Sequence, residues 1–246
     1  MAYVRRGGVR IWWESQGAGP PVVLVHGYTS NLRTHWRASG WIARLAVEHR
    51  VLALDVRGHG KSSKPLDAEH YRRSELARDI VSVLNAAGEG RAAVFGYSMG
   101  AMVVVEALLA HPERFTRAVL GGMGATWPDG GGCEAGSGAE TAPVRDLQRS
   151  AKGLAWWLRY YNPLAMRALR QGTFDGQQPM PVERLGEIGM PVLIAVGSRD
   201  QFCPGTALVA EAMPNATRMV IEGQTHHSTV SDPRFQAAVM EFLGEG

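Results

Sequence analysis

An α/β fold is what this sequence predicts: a mostly parallel central sheet with helices on both faces and an inserted helical cap. Three observations carry that expectation. Residues 21–26, 50–54, 92–95 and 191–196 are apolar runs of strand length, as strands buried on both faces should read. Segments with helical spacing alternate with them, which is the pattern of crossover connections between parallel strands. The residues with chemical potential fall just past the strand ends, where such sheets hold their ligands.

The elements follow in order. Residues 3–6 and 9–14, joined at Gly7-Gly8, read as an opening hairpin. The strand at 21–26 ends in His26-Gly27. Residues 32–48 carry helical spacing through Trp36, Trp41, Ile42 and Leu45. Strand 50–54 precedes a helix over 71–87 that puts Leu76, Ile80, Val83 and Leu84 on one face. Strand 92–95 runs into a helix over 98–111, which stops ahead of Pro112. Strands at 117–120 and 191–196, a short helix at 208–212, a strand at 218–221 and a helix at 233–243 complete the series.

Between residues 122 and 189 the composition shifts. Residues 129–142 are rich in Gly and small polar residues and read as a loop. Residues 143–161, 162–171 and 181–188 read as helical. The expected organisation is a core domain built from 1–121 and 190–246, with 122–189 inserted as a cap over the carboxyl edge of the sheet. Aromatic residues gather in the cap at Trp127, Trp156, Trp157, Tyr160 and Tyr161. Most such residues serve to pack cap on core. Trp127, Trp156 and Trp157, with Tyr28 from the core, are the candidates to line an apolar substrate pocket.

Composition narrows the function classes. The 246 residues are 45% apolar and 20% charged, enough for one domain with a large core. The net charge is +3, and the Lys and Arg residues are scattered, so a nucleic-acid partner is not expected. No apolar run is long enough for a membrane span, and Met1 to Arg6 carry no apolar leader, which points to the cytoplasm. Two cysteines, Cys133 and Cys203, make no disulfide framework and read as free thiols.

Gly96-Tyr97-Ser98-Met99-Gly100 is the motif that points to chemistry. A strand turning sharply into a helix crowds its corner, and glycines on both flanks relieve the crowding. The serine is left on a strained, exposed tip at a helix start, where the Met99 N–H can meet a developing oxyanion. A serine hydroxyl needs a base, and the base needs an orienting group. His35, His49, His70 and His111 read as surface residues. His226 and His227, in the loop after the last strand, are the candidates for the base. Asp200, three residues past Gly197 at the end of strand 191–196, is the candidate carboxylate. The order Ser, Asp, His is that of hydrolases built on a nucleophile elbow. The adjacent His226-His227 pair suggests a metal only weakly, because no nearby ligand set completes a site, and no cofactor motif is present.

His26-Gly27 after a strand, Asp55-x-Arg57-Gly58-x-Gly60-x-Ser62, the elbow at Ser98, Gly197-x-x-Asp200 and a histidine after the last strand together resemble the α/β-hydrolase superfamily over nearly the whole chain. The resemblance implies Ser98 as nucleophile, Asp200 as acid and His226 as base, with the N–H groups of Tyr28 and Met99 as the oxyanion hole. The family usually has Gly before the histidine where this chain has Thr225; spacing from Gly223 favours His226 over His227. His26 is implied as a structural support of the oxyanion loop, and Asp55 and Arg57 as pins of a glycine-rich turn. Dehalogenases and epoxide hydrolases of the superfamily carry Asp at the position of Ser98, so a serine member is implied. The expected activity is hydrolysis of small to medium carboxylic esters through an acyl-enzyme, without metal or organic cofactor. Enol-lactone or C–C bond hydrolysis in aromatic degradation is the alternative. It calls for basic residues that grip an acidic substrate, for which Arg145, Arg149, Arg159, Arg167 and Arg170 are available. A non-catalytic binding protein of the same fold has no need of all three of Ser98, Asp200 and His226.

Overall fold

The computed structural model describes residues 2–125, 160–175 and 182–244. Eight strands form one sheet: β1 (Ala2–Arg6), β2 (Val9–Gln16), β3 (Pro21–Val25), β4 (Arg50–Leu54), β5 (Ala92–Tyr97), β6 (Phe115–Gly121), β7 (Val192–Gly197) and β8 (Ala216–Ile221). Their spatial order is β1-β2-β4-β3-β5-β6-β7-β8. The β1–β2 hairpin is antiparallel and joins the sheet antiparallel to β4; every pairing from β4 onward is parallel. The helices described are α1 (Trp41–Leu45), α2 (Arg73–Ala87), α3 (Met99–Ala110), α4 (Pro163–Arg170), α5 (Thr206–Ala212) and α6 (Pro233–Gly244).

The apolar runs explain the layering. Successive strand residues point to opposite faces. Val23, Val25, Leu52, Leu54, Val94 and Ile194 join one core with Leu76, Ile80 and Val83 of α2 and Val104 and Leu108 of α3. Their neighbours Val22, Leu24, Val51, Phe95 and Leu193 join a second core with Trp36, Trp41, and Phe235 and Val239 of α6. A strand between two such layers has no solvent face, so it reads as unbroken apolar sequence rather than as alternation.

β3 lies between β4 and β5, so the chain leaves β3 toward one edge of the sheet and later returns to its other side. This reversal opens a crevice at the carboxyl ends of β3 and β5, where Val25 pairs with Gly96. Past those ends lie His26-Gly27-Tyr28 and Ser98.

Two helix expectations change. The segment 32–48 is not one helix. Leu32–Arg37 forms a wide π-type turn, capped by Asn31, and α1 starts afresh after Gly40 at φ 83°. The apolar positions still hold, since Trp36, Trp41, Ile42 and Leu45 are all buried. Residues 68–71 form a separate 3₁₀ turn, and α2 begins only at Arg73.

Two of the histidines read as surface residues are also enclosed. His49 is 4% exposed, because the β2–β3 turn runs over residues 46–49. His35 lies between Trp36 and Tyr97, with ring centroids 4.4 and 5.2 Å away, and its Nε2 is closed off from solvent.

Candidate active site

Ser98 occupies the corner between β5 and α3 at φ 55° and ψ −120°. Thr29 is the other non-glycine residue with positive φ among those described. The flanking glycines are there for space. A Cβ on Gly96 would lie 2.6 Å from the Gly100 carbonyl carbon and 2.8 Å from Ala101 Cα. One on Gly100 would lie 2.7 Å from the Val25 carbonyl carbon and from the His26 oxygen. Any side chain at either position would push the helix off the sheet. The corner is held from below, where the Ser98 N–H donates to the Gly121 carbonyl at 2.8 Å.

The three strand-end loops converge. Ser98 Oγ lies 2.8 Å from His226 Nε2, and His226 Nδ1 lies 2.8 Å from Asp200 Oδ2. All three side chains are buried: the carboxylate of Asp200 has no exposed surface, and Ser98 and His226 are 7% and 8% exposed. An ionised carboxylate only accepts, so Nδ1 carries the proton and donates it to Asp200. Nε2 is left with its lone pair toward the serine hydroxyl, which donates to it. The serine is thus hydrogen-bonded to a base whose tautomer is fixed by the carboxylate.

The surroundings fix each member. Asp200 Oδ1 accepts from the Phe202 N–H at 2.9 Å, which ties the carboxylate to its own turn. The Tyr97 hydroxyl donates to the His226 carbonyl at 2.7 Å, so the residue before the serine anchors the backbone of the histidine. Burial, reinforced by the charge of Asp200, raises that phenol well above its usual range and keeps it a donor. The Phe202 ring stands 5.2 Å from that of His226. Thr225, where a glycine was the usual family residue, closes its turn by donating its N–H to Ser228 Oγ at 2.9 Å. His227 does not reach Ser98 or Asp200; its ring stands edge-on to that of His226 at 5.5 Å. Burial first, then His226, lowers its pKa.

The loop over residues 26–28 is braced from the opposite side. His26 Nε2 accepts from the Val56 N–H at 3.0 Å, so its Nδ1 is protonated and donates to the Gly27 carbonyl at 2.8 Å. Asp55 accepts from the N–H groups of Leu32 at 2.8 Å and Lys61 at 2.7 Å. Arg57 is 1% exposed and forks onto Asp79 with two bonds of 2.6 Å. Gly27 passes close to Ser98: a Cβ there would lie 3.3 Å from Ser98 Cβ. Tyr28 follows, half-buried, with its hydroxyl directed to the Met166 carbonyl at 3.5 Å and its ring 5.7 Å from that of Phe174. Met99 is the first residue of α3, so its N–H has no carbonyl one turn earlier to meet. Of the pocket candidates, Trp127, Trp156 and Trp157 lie outside the described residues.

Sequence reasoning missed Tyr97, Phe202 and Cys203. Cys203 is a buried free thiol, with Sγ 3.6 Å from His226 Nδ1. No motif around His226-His227 points to a ligand set. The fold nevertheless gathers an oxygen of Asp200, the sulfur of Cys203 and a nitrogen of His226 within 4.8 Å of one another, without His227.

A family model for the α/β-hydrolase fold matches residues 20–161. The chain is 31% identical over 257 residues to the dihydrolipoyllysine-residue acetyltransferase component of the acetoin cleaving system of Cupriavidus necator, covering 96% of this chain and 67% of that protein. It is 28% identical over 267 residues to the 2-hydroxymuconate semialdehyde hydrolase of Pseudomonas sp. strain CF600, covering 97% and 92%. The crystal structure of the esterase RhEst1 from Rhodococcus sp. ECU1013 superposes with a TM-score of 0.79 at 25% identity, covering 99% of this chain and 98% of that one. With its serine elbow, its parallel sheet and these relatives, the chain belongs to the α/β-hydrolase fold family.

Proposed function

We propose that this hydrolase is a serine carboxylesterase acting on small to medium acyl esters. The observation that carries the reading is the unbroken Ser98–His226–Asp200 chain of two 2.8 Å hydrogen bonds, with the serine held on a strained corner. His226 takes the Ser98 proton as Oγ attacks the acyl carbon. The imidazolium so formed is held by Asp200, and the oxyanion is met by the N–H groups of Met99 and Tyr28. His226 then gives the proton to the leaving alcohol, and water, activated by the same base, releases the acid. No metal or organic cofactor takes part in this sequence.

Residues 122–189 act as the cap in this reading. The rings of Tyr28 and Phe174, 5.7 Å apart, offer apolar surface that suits the acyl or alcohol part of an ester. The similarity to a 2-hydroxymuconate semialdehyde hydrolase favours C–C bond hydrolysis as a second reading. Among the described cap arginines, Arg167 is exposed and Arg170 pairs with Asp175 at 3.4 Å, so neither stands as a dedicated grip for an acidic substrate.

The test is hydrolysis of p-nitrophenyl esters from acetate to decanoate, beside Ser98→Ala. Turnover of short chains that vanishes in the variant is the expected result. Fluorophosphonate labelling of Ser98 without ester turnover would move the reading to lactones or ring-cleavage products. A failure of both would refute serine catalysis and leave a binding protein.

A further inference from the structure

Asp200 and Cys203 stand three residues apart on the turn after β7, and both side chains face the Nδ1 edge of His226 rather than the Nε2 edge that meets Ser98. This edge offers an oxygen, a sulfur and a nitrogen within 4.8 Å of one another, all three from buried side chains. We propose that Asp200, Cys203 and His226 form a binding site for a thiophilic divalent cation of the Zn²⁺ or Cd²⁺ kind, and that its occupation switches the hydrolase off.

The donor set fits such a cation: a thiol and an imidazole select soft and borderline metals over Mg²⁺ or Ca²⁺. The spacing fits too. Tetrahedral bonds of about 2.3 Å to sulfur and about 2.0 Å to nitrogen put the two donors about 3.5 Å apart. Cys203 Sγ and His226 Nδ1 are 3.6 Å apart. By the same geometry nitrogen and oxygen need about 3.4 Å, whereas Nδ1 and Asp200 Oδ2 are held at 2.8 Å by the hydrogen bond they share. The cation and that hydrogen bond therefore exclude each other.

The protons balance as follows. The cation takes the thiolate of Cys203, whose proton leaves to solvent. It also takes the Nδ1 lone pair, so the ring proton moves through water from Nδ1 to Nε2. One proton is released per cation bound, and no oxidant or reductant is needed. With Nε2 protonated, His226 no longer accepts from Ser98, and the nucleophile loses its base. Burial first, and then the charge of Asp200, holds the Cys203 thiol far above its ordinary range. A bound metal must displace that proton, so binding is accompanied by proton release.

The inhibitory half of the proposal rests on the serine-hydrolase reading; the binding half does not. The full chain is titrated with Cd²⁺ while the ultraviolet thiolate-to-cadmium charge-transfer band, proton release and ester turnover are followed together. The expected result is a band that saturates at one Cd²⁺ per chain with release of one proton, and that is lost in both Cys203→Ala and Cys203→Ser. Turnover should fall with the same midpoint and return on adding EDTA. The serine variant guards against a packing defect in the alanine variant, and both are checked for native circular dichroism. No band in the wild-type chain, or a band that persists in the folded variants, as it would if Cys133 were the ligand, overturns the proposal. A saturating band with full turnover retained overturns its inhibitory half. A band on a chain that hydrolyses nothing upholds binding and counts against the hydrolase reading instead.

Discussion

Gly100→Ala is the sharpest test of how the elbow is built. The added methyl would lie 2.7 Å from the Val25 carbonyl carbon and from the His26 oxygen. Carbon atoms in good contact are about 3.5 Å apart, and the Val25 carbonyl oxygen lies nearer still to the added methyl, so the start of α3 must withdraw from β3 by about 1 Å or more. Neither side yields easily, since Val25 is fully buried in the sheet and Met99 and Ala101 are fully buried in the helix. Overpacking of this kind costs about 1–3 kcal/mol, which for a chain of this size lowers the thermal midpoint by about 2–4 °C per kcal/mol. The withdrawal also carries Ser98 and the Met99 N–H out of line with His226 and with Tyr28, the proposed partner of Met99 in holding the oxyanion. A misplacement near 1 Å costs about 10²-fold in rate. Scanning calorimetry and ester kinetics on the same preparation check both numbers. Gly90→Ala is the control, because a Cβ there meets nothing within 4 Å and φ is not positive. If Gly100→Ala keeps wild-type kcat/KM and midpoint, as Gly90→Ala should, the close approach of α3 to β3 is not what selects the second glycine of the motif.

Other outcomes are expected along the same lines. Asp200→Asn keeps the size of the side chain but can donate to Nδ1, which turns the imidazole to the wrong tautomer; kcat should fall by about 10⁴-fold with little change in KM, read from ester kinetics. Asp79→Asn takes the carboxylate from Arg57, which is bonded to it twice at 2.6 Å and is 1% exposed. Stranding that guanidinium should cost about 3–5 kcal/mol in urea unfolding, and a loss below about 1 kcal/mol would mean that water relieves it. Stability should also fall on the acid side. Burial first, then His26, holds His59 well below its usual 6.5. The unfolded chain therefore takes up a proton near pH 6.5 that the native one refuses. The contribution is complete above that pH and is lost as pH drops, by up to about 1.4 kcal/mol per pH unit for this group. A folded His59→Gln variant should lose stability less steeply between pH 6.5 and 5, and an unchanged slope would assign the acid response to other groups.

Much of this was legible in the sequence because a strand covered on both faces leaves a simple trace. The runs at 21–26, 92–95 and 191–196 mark β3, β5 and β7 to within a residue or two, since any polar residue there would be buried without a partner. The elbow is equally local: Gly96 and Gly100 flank a corner that leaves no room for a Cβ at either position. Where the reading went astray, the deciding contacts came from distant parts of the chain. The spacing of Trp36, Trp41, Ile42 and Leu45 correctly marked buried positions, yet those positions are met by a π-type turn and a short helix with Gly40 between them. The moment of burial is the same for one helix or two. His35 and His49 resembled surface residues because part of what covers them is distant in sequence: Tyr97 for His35, beside its neighbour Trp36, and the β2–β3 turn for His49.

The three side chains that the candidate site brings together were legible, but not what holds them. Ser98, Asp200 and His226 could be found because each follows a strand, and strand ends are recoverable from periodicity. Tyr97 could not, because the middle positions of G-x-S-x-G carry no steric requirement; its hydroxyl matters only because the loop after β8 brings the His226 carbonyl to 2.7 Å. Cys203 is the same case with a larger consequence. In sequence it is a cysteine three residues past an aspartate. In the fold, the turn that carries Asp200 to His226 carries the thiol with it to 3.6 Å from the same nitrogen. The geometry that orients the base also assembles a ligand set that competes for it. Replacing Cys203 should therefore weaken cation binding and disturb the Asp200–His226 pair at once, and only a direct reading of the metal–thiolate bond separates the two effects.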